Sequence, residues 1–554
     1  MTQIPNAANL VPLMFQAQIE GRCQLQRVTR DEEQQAYRWA SEWVEKAHPQ
    51  IPEFGAEVQT RTFAISWRFV TNSGQDDGVI RPVIGARGLP FYPGSSMKGI
   101  FRRACNQEQG DRFCGKTLPG GDFEPGILRF HGGYPTDDSW QDNLVDIVHP
   151  QQERQVKNTQ TSAAFVQISL YKPKLNFGIS STVPIEEAEW NTIWEIWERA
   201  ISTGIGCRTC AGYGQPRKNT GNVIYRVKLK GQGAAANLLD KTGEFRPNIF
   251  RAALRGHALR IFGGLTDADT AERLVGQLFG SIIGGTTVGL LAMNFRDTNL
   301  ELDDFGRGKW QVPIYEVEGD LTWLLTQNIS APHKEALPKL VQALTRFAVV
   351  FGGFGKSWRR ADHRLFYPEY YEGSSQKPLI GCHWQWAGQL DTRVRSLDKV
   401  GEFIDEVRQT AIAWMNLQGV NPNPSKLAPW REAWHPQNVQ VWGRLAENVD
   451  DSQAIEWFHG AYRRAIPTAR IPEGSIYRSS VTGRMGHIGR LWHRMYPVVR
   501  LIKSPEDPSK PKAVNSRQFL EILTFFPDGS AESDEFKKFL ASEQKMFTKL
   551  WSNS

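Results

Sequence analysis

The feature that most constrains this chain is an internal duplication of element order. An alternating strand, a polar loop, a basic helix, further strands, a helix and a glycine-rich loop occur twice. The first round runs from RTFAISWRFV to GIGCRTCAGYG, the second from VIYRVKLKG to FGGFGKSWRR. RTFAISWRFV alternates apolar and polar residues over most of its length, the period of a half-buried strand. Apolar residues three and four apart predict helices over 30–47, 185–203 and 333–350. Recurrence of one supersecondary unit, in a chain of 554 residues, excludes a single core. Each round fits a βαββαβ sheet with helices on one face. The expected fold is α+β, with two tandem ferredoxin-like (RRM-like) modules.

The expected boundaries are a helical N-terminal extension over 1–50, a first module over 51–220 and a second over 221–500. Residues 385–445 are helical and Trp-rich and read as an insertion in the second module. SPEDPSKPKA reads as a flexible linker, which makes 501–554 a linker and a helical tail. The Gly-, Asp- and Pro-bearing stretch 71–90 reads as a loop. Trp190, Trp194 and Trp197 at helical spacing read as core.

Composition sets the class of partner. Hydrophobic residues make up 40% and charged residues 23% of the chain, an ordinary globular balance. No apolar run approaches the ~18 residues of a bilayer span. MTQIPNAANLVPLMFQ lacks a charged n-region and a cleavage site, so the expected location is cytoplasmic, with no membrane partner. The net charge of +7 is compatible with a polyanion. Six cysteines do not make a disulfide framework in a chain this long. Cys207 and Cys210 form a C-x-x-C, and Cys105 and Cys114 a wider pair; with His131 or His149 they would be zinc ligands. Small residues in a glycine-rich turn account better for Cys207 and Cys210.

The strongest local signal is LPFYPGSSMKGIFRRAC. Pro93 and Gly94 end a strand, and Ser95 or Ser96 would cap the following helix. A helix start offers unpaired N–H groups and partial positive charge, which suit a phosphate. Lys98 and Arg102, four apart, share one helix face.

FYPGSSMKGIFR resembles the I-P-G-S-S-L-K-G-x-x-R signature of RAMP proteins, the backbone subunits of type III CRISPR effector complexes. GIGCRTCAGYG resembles the glycine-rich loop of that superfamily, and DIVHPQ (146–151) a further patch of it. FRPNIFRAALRGHALRIF, followed by QLFGS, resembles a degenerate signature, with FGGFGKSWRRADHRLF as the glycine loop of the second module. The resemblance covers most of 55–380. It implies a subunit that grips crRNA phosphates, inserts a thumb-like hairpin between bases and lets base pairing read target RNA. Implied partners are crRNA, complementary target RNA, other RAMP backbone subunits and the large signalling, polymerase-like subunit.

By the same resemblance Ser95, Ser96, Lys98, Arg102 and Arg208 would contact RNA in the first module. Arg251, Arg255, Lys356, Arg359 and Arg360 would do so in the second, which has Asn248 and Ile249 in place of the serine pair. Catalytic members carry an Asp shortly before a V-I-R-like element, and here QDDGVIR puts Asp76 three residues before Val79. Asp76 is then the first candidate for metal-dependent cleavage of target RNA with Mg2+ or Mn2+, Asp77 the second, and Asp240 the second module's counterpart. A non-catalytic structural subunit is the alternative. A guide-processing endoribonuclease using His257 or His493 is disfavoured, because buried or surface structural histidine explains both.

Overall fold

The computed structural model describes residues 30–71, 74–76, 79–148, 153–157, 165–219, 221–238, 242–281, 287–305, 308, 311–355, 381–449, 451–458, 480–483, 488–503, 511–542 and 546–552. Within them the protein mixes helices and sheets, as the α+β expectation requires.

The first unit runs through α1 (Arg30–Lys46), β1 (Gln59–Ala64), β2 (Gly74–Asp76), β3 (Val79–Arg81), α2 (Gly94–Ala104) and α3 (Gln107–Cys114). It continues with β4 (Leu128–Pro135), β5 (Val145–Val148), α4 (Glu153–Lys157), β6 (Phe165–Ile168), β7 (Lys174–Ser181) and α5 (Glu187–Ile201). One sheet has the order β1-β7-β4 and a second the order β2-β3-β6-β5. Helix α1 is no separate extension: Ala36, Ala40 and Trp43 are buried in the first unit's core, and the Trp43 indole N–H donates to the Gly88 carbonyl at 2.7 Å. In α5, Trp194 and Trp197 are buried in that same core. The 71–90 stretch is not all loop. Gly74, Gln75 and Asp76 pair antiparallel with Arg81, Ile80 and Val79. The two residues between, Asp77-Gly78, are a pair that favours tight hairpin turns.

The second unit is β8 (Val223–Ala234), α6 (Asn248–Gly263), α7 (Ala268–Phe279), β9 (Leu291–Phe305), β10 (Val312–Leu325), α8 (Ala331–Phe347) and β11 (Cys382–Trp386). Its sheet is antiparallel with the order β9-β10-β8-β11.

The remainder corrects the expected boundaries. After α9 (Asp398–Leu417) come β12 (Gln440–Ala446), α10 (Gln453–Phe458), β13 (Leu491–Lys503), β14 (Pro511–Phe525), α11 (Ala531–Ser542) and β15 (Thr548–Trp551). The strands form a third antiparallel sheet, β13-β14-β12-β15. Numbered within their own units, the second and third sheets share one order, two-three-one-four. The region read as insertion, linker and helical tail is therefore mostly a third sheet unit. SPEDPSKPKA joins the paired strands of a hairpin, and its last residues open β14. The reason is hydrophobic: Leu520, Ile522 and Phe525 on β14 are fully buried. Helix α9 welds the second and third units, sharing one core with Phe347, Trp434, Trp492 and Trp551.

Candidate nucleic-acid interface

The signature turn is built by close backbone approach. A Cβ on Gly94 would lie 2.0 Å from the Phe130 carbonyl oxygen, so only glycine lets α2 begin against β4. This moves the helix start ahead of the serines: Pro93 is the N-cap, and no side chain caps the helix. Ser95 and Ser96 lie exposed in the first turn instead of capping it. Met97 and Phe101 anchor the buried face of α2, which leaves Arg102 and Arg103 exposed and Lys98 half-buried. Lys98 and Arg102 form no ion pair with a described residue, and the charges of both reach the Cys114 thiol.

The glycine loop 204–214 is clamped alongside this turn. Cys207 N–H donates to the Val70 carbonyl at 2.8 Å, Gly214 N–H to Arg68 at 2.7 Å and Ile205 N–H to Gly214 at 3.0 Å. A Cβ on Gly214 would meet the Ile205 carbonyl oxygen at 1.8 Å, which requires glycine there. Tyr92, two residues before the start of α2, ties the two elements together. Its ring packs on Phe69 with centroids 5.9 Å apart, Phe69 in turn lies against Gly206, and burial pushes the Tyr92 pKa up to about 12. The charge of Arg103 also reaches Tyr92. Sequence reasoning did not single out Arg103. Its signal was the doubled Arg in GIFRRAC, which puts a cation on the flank of α2 nearest the loop.

Arg208 stands at the tip of the loop in the left-handed region, at φ 60°. Burial, with help from the charge of Arg246, holds its guanidinium below the usual arginine range. The loop packs on α6 and β9, so this charge faces the seam between the first and second units.

That seam is ionic and buried. Asp146, from the DIVHPQ patch, has no exposed surface. It accepts from Arg246 Nη2 at 2.5 Å, from Gln167 Nε2 at 2.6 Å and from the Tyr213 hydroxyl at 3.0 Å. Burial alone would raise the pKa of Asp146; Arg246 and Arg68 hold it below the ordinary value. Arg68 clasps Glu244 through Nε at 2.9 Å and Nη2 at 2.5 Å, and the Trp67 indole N–H donates to the same carboxylate at 2.8 Å. Both arginines cross between units, so DIVHPQ and GEFRP are two halves of one latch.

Of the cations expected to contact RNA in the second unit, Arg251 and Arg255 are engaged within the protein. Arg255 pairs with Glu153 of the first unit. Arg251 Nη2 donates to the Phe279 carbonyl at the end of α7, where a cation also meets the helix dipole. Burial, with the charges of Arg255 and Arg208, pushes the pKa of Arg251 down to about 10. Helix α6 therefore does not repeat the arrangement of α2. The glycine loop that follows α8 is filled from both sides: a Cβ on Gly352 would lie 2.1 Å from His257, and one on Gly353 2.0 Å from Arg494. His257 is buried between the rings of Phe347 and Trp492, and His493 packs beside Glu521 at 3.1 Å. Both histidines sit in the core.

Asp76 is the last residue of β2 and pairs with Val79. Its side chain, and the whole of Asp77, Asp240, Lys356, Arg359, Arg360 and His149, lie outside the described residues. Among the described residues no group of three His, Cys, Asp or Glu could hold a metal ion. The Cys105 thiol donates to the Phe101 carbonyl at 3.3 Å, and burial raises the pKa of Cys207 and of Cys210. His131 bonds Ser180 at 2.7 Å.

No family model and no curated protein matches the chain. Solved structures that resemble it include a chain titled Type IV-B CRISPR Complex, 16% identical over 28% of this chain and 86% of that one, with a TM-score of 0.22. Cmr6 from Pyrococcus furiosus is 14% identical over 29% of this chain and 98% of its own, with a TM-score of 0.18. A chain of the Type III-B Cmr-beta bound to cognate target RNA is 10% identical over 58% of this chain and 99% of its own, with a TM-score of 0.29. Scores this low carry no functional argument, which has to come from the residues.

Proposed function

We propose that this chain is a crRNA-binding backbone subunit of a type III CRISPR ribonucleoprotein, with its first two units as tandem ferredoxin-like modules. The observation that carries the reading is the join of Tyr92 to Gly206 through Phe69. It sets an uncapped helix start beside a glycine-rich loop, with Lys98, Arg102 and Arg103 on the adjoining surface. Uncapped N–H groups and unpaired cations on one ledge suit the phosphates of a nucleic-acid backbone. Contacts of this kind read backbone and leave sequence to base pairing. Other backbone subunits, the large polymerase-like subunit and a cytoplasmic setting belong to the same reading.

Target cleavage is assigned to Asp76, the residue at which Mg2+ or Mn2+ would be held together with an RNA phosphate. The metal would offset charge developing on the phosphate. A single carboxylate holds such an ion weakly, so the RNA phosphate would complete its coordination. The experiment uses the reconstituted complex with end-labelled target RNA. Asp76→Ala is expected to abolish one or more cuts while target binding persists. An unchanged cleavage pattern would make the subunit structural only. RNA retention is tested separately: Lys98→Ala with Arg102→Ala should lower the amount of guide RNA that copurifies, and undiminished guide RNA counts against the ledge.

A further inference from the structure

Two cysteines of the first unit have no role in the site above. Cys105 closes α2, its backbone N–H donating to the Arg102 carbonyl, and Cys114 is the last residue of α3. Both are free thiols. Asn106, directly after Cys105, caps α3 through reciprocal bonds with Gln109, so the chain turns at once into the next helix. Phe101, one turn before Cys105, packs edge-on against Phe113 with ring centroids 6.2 Å apart. That contact folds α3 back along the end of α2.

The face of α3 turned toward Cys105 is fixed by Gly110, which is buried. A Cβ there would stand 3.8 Å from the Cys105 Cβ, an ordinary contact. Cys114 is four residues further on and shares that face. Side chains on a helix lean toward its N-terminus, which carries the Cys114 sulfur over Gly110, where no side chain intervenes. The electrostatics agree. The Cys105 thiol, with the charges of Lys98 and Arg102, holds Cys114 below the ordinary thiol range against a burial that would raise it. Cys105 shifts the other way, chiefly through Cys114, so the two sulfurs share protons unevenly. The C-x-x-C of the glycine loop differs: Cys207 feels burial and Arg208, Cys210 burial and Arg251.

We propose that Cys105 and Cys114 are a reversible oxidation site, joined as a disulfide by a peroxide and released by a thiol reductant. Half-buried Cys105 meets the oxidant, since Cys114 has no exposed surface. Its proton passes to the Cys114 thiolate, and its sulfur attacks one peroxide oxygen, breaking the O–O bond. Cys105 becomes a sulfenic acid and hydroxide leaves. That hydroxide takes the proton from Cys114 and becomes water. The Cys114 thiolate then attacks the Cys105 sulfur, forming S–S and expelling a second hydroxide. Two electrons pass from the sulfurs to the peroxide. One thiol, one thiolate and one peroxide give a disulfide, a water and a hydroxide. The inference does not rest on RNA binding.

The test uses the full chain, reduced, freed of reductant and exposed to an equimolar amount of hydrogen peroxide. Trypsin cuts after Arg103, Arg112 and Lys116, so the bond joins two otherwise separate peptides, 104–112 and 113–116. The expected product is that joined pair, lighter than its parts by two hydrogens and split again by dithiothreitol. Closing this loop should raise the urea midpoint of the oxidised chain above that of the reduced one. In Cys114→Ser the reaction should stop at the sulfenic acid, trapped by dimedone on 104–112. In Cys105→Ser the buried Cys114 should take up no dimedone. A folded chain that yields no joined pair, or that links Cys207 to Cys210 instead, overturns the proposal. An unchanged or lower midpoint overturns it too, because the bond would then strain the native fold.

Discussion

The second and third units carry the same hairpin, strands two and three of one sheet order, with opposite electrical character. Residues 296–318 hold six Asp and Glu against three Lys and Arg; residues 497–519 reverse the balance. In the second unit the acids answer the sheet's own cations. Lys228 meets Glu318 at 2.5 Å, Lys230 meets Glu316 at 2.8 Å and Arg296 meets Asp320 at 2.7 Å. The sheet face that an RNA-binding fold could offer is thereby self-neutralised. In the third unit the outer cations have no such ladder among the described residues, where Arg500 donates to the Gln518 amide at 2.8 Å. The lesson is one of separable constraints. Strand order follows the buried faces, which the two hairpins share, while exposed charge diverges at little cost in stability. Helices α2 and α6 differ likewise: Lys98 and Arg102 face outward, while Arg255 and Arg251 are tied into the protein.

If buried groups set the shared fold and surface groups the divergent function, the largest effect belongs to the seam. Asp146→Ala leaves Arg246 buried without its carboxylate and is expected to lower unfolding stability by about 3–5 kcal/mol. Urea denaturation measures this, and a loss within error would break the contrast. Acid should act on the same group. The folded-state pKa values of Asp146 and Glu521 are depressed, so their contribution is present above the unfolded values near 4 and is lost as pH falls through the folded ones. The midpoint should be level from neutrality to about pH 5 and decline below about pH 4, less steeply in Asp146→Asn. Next comes Arg255→Ala, expected to cost about 1 kcal/mol for a partly buried pair, with the RNA salt slope unmoved. A lowered slope would show α6 to be an RNA contact after all. Smallest is Lys230→Ala, within about 0.5 kcal/mol, since that pair is largely solvated. A change above 1 kcal/mol would mean the ladder is structural.

Much of the site was legible because it is local. Gly94 of PGSS and Gly206 and Gly214 of GIGCRTCAGYG mark backbone approaches that no Cβ permits, and the four-residue spacing of Lys98 and Arg102 fixes their shared face. Serine capping was misjudged because Gly94, fitted to the Phe130 carbonyl, moves the helix start forward by a residue or two. The third unit escaped because two of its paired strands, β12 and β14, lie far apart in sequence. β12 ends at Ala446 and its partner β14 begins at Pro511, with a proline-rich segment that has the composition of a linker. No periodicity within either strand announces the other.

The sequence by itself determined the α+β class and marked the signature turn and the first glycine loop, whose signals lie among a few neighbouring residues. Only the tertiary structure decided which cations remain available. Asp146 and Arg246 stand 100 residues apart, and Arg68 and Glu244 stand 176 apart. An arginine's charge is the same in every sequence. Whether it serves a ligand or the fold depends on which carboxylate the chain brings beside it, and that partner is chosen by packing over distances no local pattern records.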